Sequence, residues 1–151
     1  MFDIASLAHK NGLKNILVSA GYVEKDPLRE LLPFIDAANI DIKSMDDSFY
    51  RKYCGAALQP VLENILIMVE AGIHVEITNL LVTGLNDSQE SVARLCSWMV
   101  ENNLSDIPLH FSRYFPRYRM REPGPTPRPV LDMAAETALS AGIRTVYLGN
   151  V

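Results

Sequence analysis

A chain of 151 residues, 48% of them hydrophobic and 21% charged, is the size of one domain and can bury about 70% of the surface it exposes when unfolded. Its net charge of −4 gives no global reason to expect nucleic acid or an anionic membrane as partner. No apolar run reaches the length of about 18 residues that a membrane span needs, and the N-terminal stretch MFDIASLAHKNG lacks the parts of a secretory signal, so a cytoplasmic address is expected.

Ile4, Leu7, Ala8 and Leu13 recur at helical spacing, and Gly12 marks a stop. The segment Asn15–Ser19 (NILVS) is apolar and β-branched and predicts a first strand, running into Ala20-Gly21. Asp26 as cap, with Pro27 at the first helical position, predicts a helix to about Phe34. Ala38–Lys43 (ANIDIK) is the second strand. A short helix over Ser44–Tyr53 and a longer one from Gln59 to Ala71, closed by Gly72, follow it. His74–Val82 (HVEITNLLV) is the third strand, and Thr83–Asn86 is a turn. Asp87 with Glu90 predicts a capping box for a helix over Ser88–Asn102. Ile107–Ser112 is a fourth strand, Arg113–Pro129 an irregular loop rich in Arg and Pro, Val130–Ala141 a helix, and Arg144–Leu148 a fifth strand.

Strands alternating with helices predict an α/β fold with a parallel sheet and right-handed crossovers, either a barrel or an open doubly wound sheet. No GxGxxG or GxxxxGK[ST] follows a strand, so the commonest nucleotide-binding readings of an open sheet lose their support. In a parallel barrel, chemistry belongs at the carboxyl ends of the strands. Cys54 and Cys96 belong to no CxxC pair or Cys/His cluster, so the chain shows no zinc or iron–sulfur motif. Cys96 falls in a helical apolar pattern and reads as a buried, inert thiol.

Asp41 and Lys43, two apart in a strand, point to one face at its carboxyl end. Two readings stand: an inward pair that holds a polar ligand by charge-assisted hydrogen bonds, or a solvated ion pair of little worth. Glu76 and Thr78 share a face that Leu80 continues. Glu76 reads slightly better as solvent-facing on an edge strand, because a buried carboxylate needs a partner. His74 is expected to be structural, and His110 to be packed rather than catalytic. The loop carries Arg113, Arg117, Arg119, Arg121 and Arg128 against Glu122 alone, interleaved with Tyr114, Phe115 and Tyr118. Such a loop grips an anionic substrate, a protein or single-stranded nucleic acid, or is simply solvated.

In order along the chain, VSAGY, NIDIK, EITNLLVTGLNDS, PLHFSRYFPRYRM, PTPRPVLDMAAETALSAG and VYLGN occur. Together they resemble the latter part of the radical SAM enzymes of the AmmeMemoRadiSam system, which are similar to the activating enzyme of pyruvate formate-lyase. The resemblance implies the C-terminal part of a partial (β/α)6 barrel. Its intact members bind S-adenosylmethionine and a [4Fe–4S] cluster and reductively cleave the former to a 5′-deoxyadenosyl radical for hydrogen abstraction. It assigns Ser19, Asp41, Lys43, Thr78 and the backbone near Leu80 to S-adenosylmethionine; the basic, aromatic character of the loop makes Arg113, Tyr114, Arg117 and Arg119 the candidates for a substrate or partner. The substrate is left open, with a protein among the candidates.

The family's CxxxCxxC and its glycine-rich GGE-type segment are absent, so no catalytic or metal-ligating residue is assigned, no cluster is expected on this chain, and the chain alone is expected to be inactive. Ala20-Gly21 stands where Asn-Gly is usual, Thr83 where Pro is usual, and Phe115 where some relatives have His. A barrel short of its first two strands has open edges. The chain is therefore expected to be a fragment or split half, or to complete itself by dimerisation. A non-catalytic binding module using Arg113–Arg128 against an acidic protein or RNA is the alternative, and a metal-free α/β enzyme using Asp41 and Glu76 is a third.

Overall fold

A computed structural model describes residues 1–151. Five strands, β1 (Ile16–Ser19), β2 (Ala37–Asp41), β3 (His74–Leu81), β4 (Leu109–Arg113) and β5 (Val146–Gly149), form one sheet. All four pairings are parallel, and the spatial order β1-β2-β3-β4-β5 is the chain order. A doubly wound sheet reverses its strand order at a switch point. This sheet never does, which settles the choice between the two architectures in favour of a barrel wall.

The helices are α1 (Phe2–Lys10), α2 (Lys25–Leu31), α3 (Asp47–Phe49), α4 (Leu58–Glu70), α5 (Gln89–Glu101) and α6 (Arg128–Ser140). A 3-10 turn, Leu32–Phe34, extends α2, and a π turn, Tyr50–Cys54, extends α3. Two helix starts differ from their sequence reading. α2 begins at Lys25 with Glu24 at the cap, so Pro27 lies inside the first turn, where its missing N–H still costs no bond. α5 is capped by Ser88, whose Oγ accepts from the Ser91 N–H at 3.1 Å, while the Asp87 carboxylate accepts from the Gly84 N–H at 2.8 Å and closes the preceding turn.

β3 shows why the sheet has two different faces. Val75, Ile77, Asn79 and Leu81 are buried, whereas His74, Glu76, Thr78 and Leu80 alternate with them and are not. In register with the first set stand Ala38 and Ile40 of β2 and Leu109 and Phe111 of β4. Against this face pack Val61, Ile65 and Met68 of α4, Leu95, Cys96 and Met99 of α5, and Leu131, Ala134 and Ala138 of α6. The core therefore lies entirely on the helix side. Burial within it pushes the Cys96 thiol up to about 11, as suits an inert thiol.

At the free edge, the β1 residues on the other face, Ile16 and Val18, are 68% and 75% exposed. The turn that leaves β1 is tied down by Asn64 of α4, whose Nδ2 donates to the carbonyls of Gly21 (2.9 Å) and Val23 (2.8 Å). Gly21 has φ +69°, and a Cβ there would meet Ile40 Cγ2 at 2.8 Å. Gly21→Ala is expected to destabilise the protein by about 1–3 kcal/mol, through left-handed strain and overpacking together. Urea unfolding monitored by circular dichroism checks this; an unchanged midpoint would refute it.

Candidate active site

Register assembles the site on the face turned away from the helices. Asp41, Thr78, His110 and Tyr147 lie in one row across β2 to β5. Asn39 and Glu76 lie in the row below, and Leu80, Ser112 and Gly149 in the row above. This face would line the interior of a closed barrel.

Lys43, just past β2, reaches back so that its Nζ lies 2.8 Å from Asp41 Oδ2, both side chains being about 30% exposed (32% and 29%). The two side chains thus share the open face and pair with each other, an arrangement that both sequence readings contain. The backbone beneath it is unusually constrained. The Lys43 N–H donates to the Tyr50 hydroxyl at 2.9 Å, and its carbonyl accepts from Asn86 Nδ2 at 2.7 Å. Asn79 Nδ2 donates to the adjoining Ile42 carbonyl at 2.7 Å. Asn86 also donates to the Leu80 carbonyl at 2.8 Å and accepts from the Val82 N–H at 2.7 Å. Tyr50, Asn79 and Asn86 are all buried. Burial pushes the Tyr50 hydroxyl up to about 12, so it stays neutral across the physiological range.

A second network runs diagonally across the same face. Thr78 Oγ1 donates to Asn39 Oδ1 at 2.7 Å, and Asn39 Nδ2 lies 3.4 Å from Glu76 Oε2. His110 Nε2 lies 2.8 Å from the same carboxylate oxygen, His74 Nε2 is 3.5 Å from the other, and the His110 ring stacks on Tyr147 at 4.9 Å. An ionised carboxylate only accepts, so Nε2 of His110 carries the proton toward Glu76. Burial pushes the Glu76 carboxyl up. The hydrogen bond and charge of His110, joined by His74 and Asn39, outweigh it and hold the group below its ordinary 4.5. Glu76 is thus not on an edge strand: β3 is the central strand, and the carboxylate has partners on both sides. His110 is packed, as expected, but is also the second half of a carboxylate–histidine pair. The cue was present in the alternation of Asn39/Asp41, Glu76/Thr78 and His110/Ser112.

Ser19 does not join this face. It is in register with Ile40 on the helix side, and its Oγ accepts from the Gly21 N–H at 3.1 Å. Leu80 lies at the rim, where it lines a cavity of about 590 Å³ with Arg113, Tyr114, Phe115, Arg117 and Asn150. Arg113 donates through Nε to the Thr126 carbonyl at 2.7 Å and covers the Phe115 ring at 4.9 Å. Tyr114 is buried, whereas Arg117 and Arg119 are exposed. No three His, Cys, Asp or Glu side chains converge as metal ligands, Cys54 being exposed and Cys96 buried. The chain's own residues therefore do not fit an iron–sulfur cluster. The open face carries a cation, carboxylates and a hydroxyl on neighbouring strands, group types that fit a small zwitterionic cofactor.

A one-sided wall of five parallel strands in chain order, with its polar groups at the carboxyl ends, defines a partial α/β barrel. The same fold is seen in solved structures of low sequence identity. The structure superposes on a crystallised domain of pyruvate-formate lyase-activating enzyme from Bacteroides vulgatus with a TM-score of 0.80 and 18% identity, over 99% of this chain and 89% of that one. It also superposes on Streptococcus suis SuiB bound to S-adenosylmethionine, with a TM-score of 0.73 and 11% identity, over 97% of this chain and 35% of that one.

In sequence it is 41% identical to the uncharacterized protein MJ0808 of Methanocaldococcus jannaschii over its whole length, which is 44% of that protein. It is 24% identical to the 4-hydroxyphenylacetate decarboxylase activating enzyme of Clostridium scatologenes, over 72% of this chain and 36% of that protein. No family model matches the chain. The chain thus spans less than half the length of these curated relatives, and its similarity is to radical SAM activating enzymes.

Two variants test the networks. Because the Glu76 carboxyl is held below 4.5 in the folded state, its contribution is fully present above that pH and is lost as pH falls through the folded value. The stability gap between wild type and Glu76→Gln is expected to close on acidification below 4.5, read from unfolding midpoints across a pH series. Asn86→Ala leaves the Lys43 and Leu80 carbonyls and the Val82 N–H short of a partner. It is expected to cost about 2–4 kcal/mol in urea unfolding, more than one lost hydrogen bond accounts for.

Proposed function

We propose that this chain forms the S-adenosylmethionine-facing wall of a radical SAM enzyme of the activating type, and that residues outside these 151 supply the iron–sulfur cluster. The observation that carries this reading is the Asp41–Lys43 pair. It lies on the open face of the sheet, at the carboxyl end of β2, over a backbone that three buried side chains hold in place. The order of NIDIK, TGLND and FSRYFPRY along the chain supports the finer placement in the AmmeMemoRadiSam group.

In this reading Lys43, Asp41, Thr78 and the strand-end backbone at Leu80 hold the cofactor, and Ser19 contributes only through the turn it ties. The Lys43 ammonium is the natural partner of an amino-acid carboxylate. Asp41 and Thr78 offer acceptors and a hydroxyl to amine and ribose groups. Bound S-adenosylmethionine, with an electron from the cluster, supplies the radical that removes a hydrogen atom from substrate. The protein residues position the cofactor and keep water out. The free edge of β1, with exposed Ile16 and Val18, is where further barrel strands would pair, either from the rest of the protein or from a second polypeptide.

Isothermal titration with S-adenosylmethionine tests the reading without any cluster. Lys43→Ala is expected to weaken binding about 10–100-fold, the worth of a charge-assisted hydrogen bond. Arg144→Ala, which removes an exposed ion pair with Asp106, should leave it unchanged. Equal affinity in wild type, Lys43→Ala and Asp41→Asn would refute the assignment. Anaerobic reconstitution with iron and sulfide is expected to leave the chain without broad visible absorption, and its appearance would refute the placement of the cluster ligands.

A further inference from the structure

Beyond the open face, the strongest unexplained feature is the hairpin after β4. The Arg117 N–H donates to the Met120 carbonyl and the Met120 N–H to the Arg117 carbonyl, each at 3.1 Å. Their turn is bolted to the barrel rim from two sides. The Tyr114 hydroxyl donates to the Met120 carbonyl at 2.5 Å, and the fully buried Thr126 donates through Oγ1 to the Leu81 carbonyl at 2.6 Å. The Thr126 N–H, in turn, donates to the Tyr114 carbonyl at 3.1 Å. This is a fixed arm rather than a slack connection.

What the arm presents is costly to the fold. Arg117, Arg119 and Arg121 form no ion pair, whereas Arg128 further along the loop pairs with Asp132 at 2.8 Å. Tyr118, at the tip, is 80% exposed and has φ +54°. Folding would favour glycine or asparagine in that left-handed position. An aromatic ring held there, between two guanidinium groups without carboxylate partners, makes one cation–π contact, with Arg119 5.2 Å over the ring, and is otherwise left in solvent. Non-glycine residues in this region cluster at binding and catalytic sites. Beside the arm, the cavity lined by Leu80, Arg113, Phe115 and Arg117 joins it to the open face.

We propose that the Arg117–Arg121 arm is a docking site for an acidic segment of a partner protein, with Tyr118 as its aromatic anchor. Exposed tip residues suit a partner surface, because a small anion would be enclosed on most sides. Arginine and tyrosine are the residues that carry binding energy at protein interfaces. A single-stranded nucleic acid needs a basic groove that follows its backbone. Here the positive charge is confined to one arm of a chain whose net charge is −4. The inference concerns binding at the rim and stands independently of cofactor binding at Lys43.

The test uses fluorescence anisotropy at physiological ionic strength, with a labelled peptide of alternating Asp, Glu and Gly, a labelled oligouridine, and inorganic phosphate as competitor. The double variant Arg117→Glu/Arg119→Glu is expected to lower peptide affinity at least tenfold, whereas Arg51→Glu, on the outer surface, should change it little. Tyr118→Gly separates docking from folding: it is expected to raise the melting temperature while weakening the peptide several-fold. Circular dichroism confirms that the double variant folds. Peptide binding unchanged in the double variant, oligouridine binding tighter than peptide, or displacement of the peptide by low phosphate concentrations would each overturn the proposal. The last two would mean a nucleic-acid surface and a small-anion site, respectively.

Discussion

The geometry of the open face rests on a few buried amides. Asn86 and Asn79 sit where β3 ends, and their side chains bond carbonyls on the neighbouring strand end, at Lys43 and Ile42. A strand-end carbonyl has no ladder partner of its own once the strand stops pairing, and left buried without one it costs free energy. The asparagines supply that partner and, in doing so, fix where the chain goes after Asp41. The Lys43 side chain is thereby set above Asp41 rather than swinging with a loop. Asn64 does the same for the turn after β1 through the Gly21 and Val23 carbonyls, although its own Oδ1 is left without a partner. The barrel mouth is thus tied together from beneath by side-chain amides.

The two faces of the sheet obey opposite rules. Toward the helices, Ile40, Ile77, Leu109 and Phe111 are completely buried, and each removes apolar surface from water with no polar atom to satisfy. Toward the open side, Asn39, Asp41, Glu76, Thr78 and His110 are placed on neighbouring strands where apolar residues would pack more cheaply. Every one of them is engaged: Asp41 with Lys43, Thr78 with Asn39, Glu76 with both Asn39 and His110. A polar layer in which each of these groups has a partner avoids the penalty of orphaned groups and keeps its members in defined rotamers.

How much of this was legible follows from the range of each determinant. The alternation of helices and strands, the stops at Gly12 and Gly72, and the shared face of Asp41 and Lys43 are local, and the strand and helix periods declare them directly. Barrel and doubly wound sheet have the same local pattern; they differ in strand order, which is a global property. The Glu76–His110 pair depends on the offset between β3 and β4. One residue of slip would send the two side chains to different places. Ser19 fails for the same reason, since its register with Ile40 turns it to the helix side. The cap of α5 moved from Asp87 to Ser88 because Asp87 was already committed to the Gly84 turn, a choice between two adequate caps that a sequence does not rank.

The Asp41–Lys43 pair then has to be explained by something other than stability. Its side chains are roughly one-third exposed, a setting in which an ion pair contributes little and is weakened by salt. Yet Tyr50, Asn79 and Asn86, three buried polar groups each carrying a desolvation cost, are spent on orienting the backbone that bears Lys43. A fold that needed only stability would replace all of them with apolar side chains, as it has on the helix face of the same strands. Local rules broken at one place, with these three polar groups converging on one cation about one-third exposed, are the ground on which the binding site at Lys43 is proposed. The same reasoning applies at the rim, where Tyr118 holds an unfavourable backbone conformation between arginines that have no carboxylate partner within the chain.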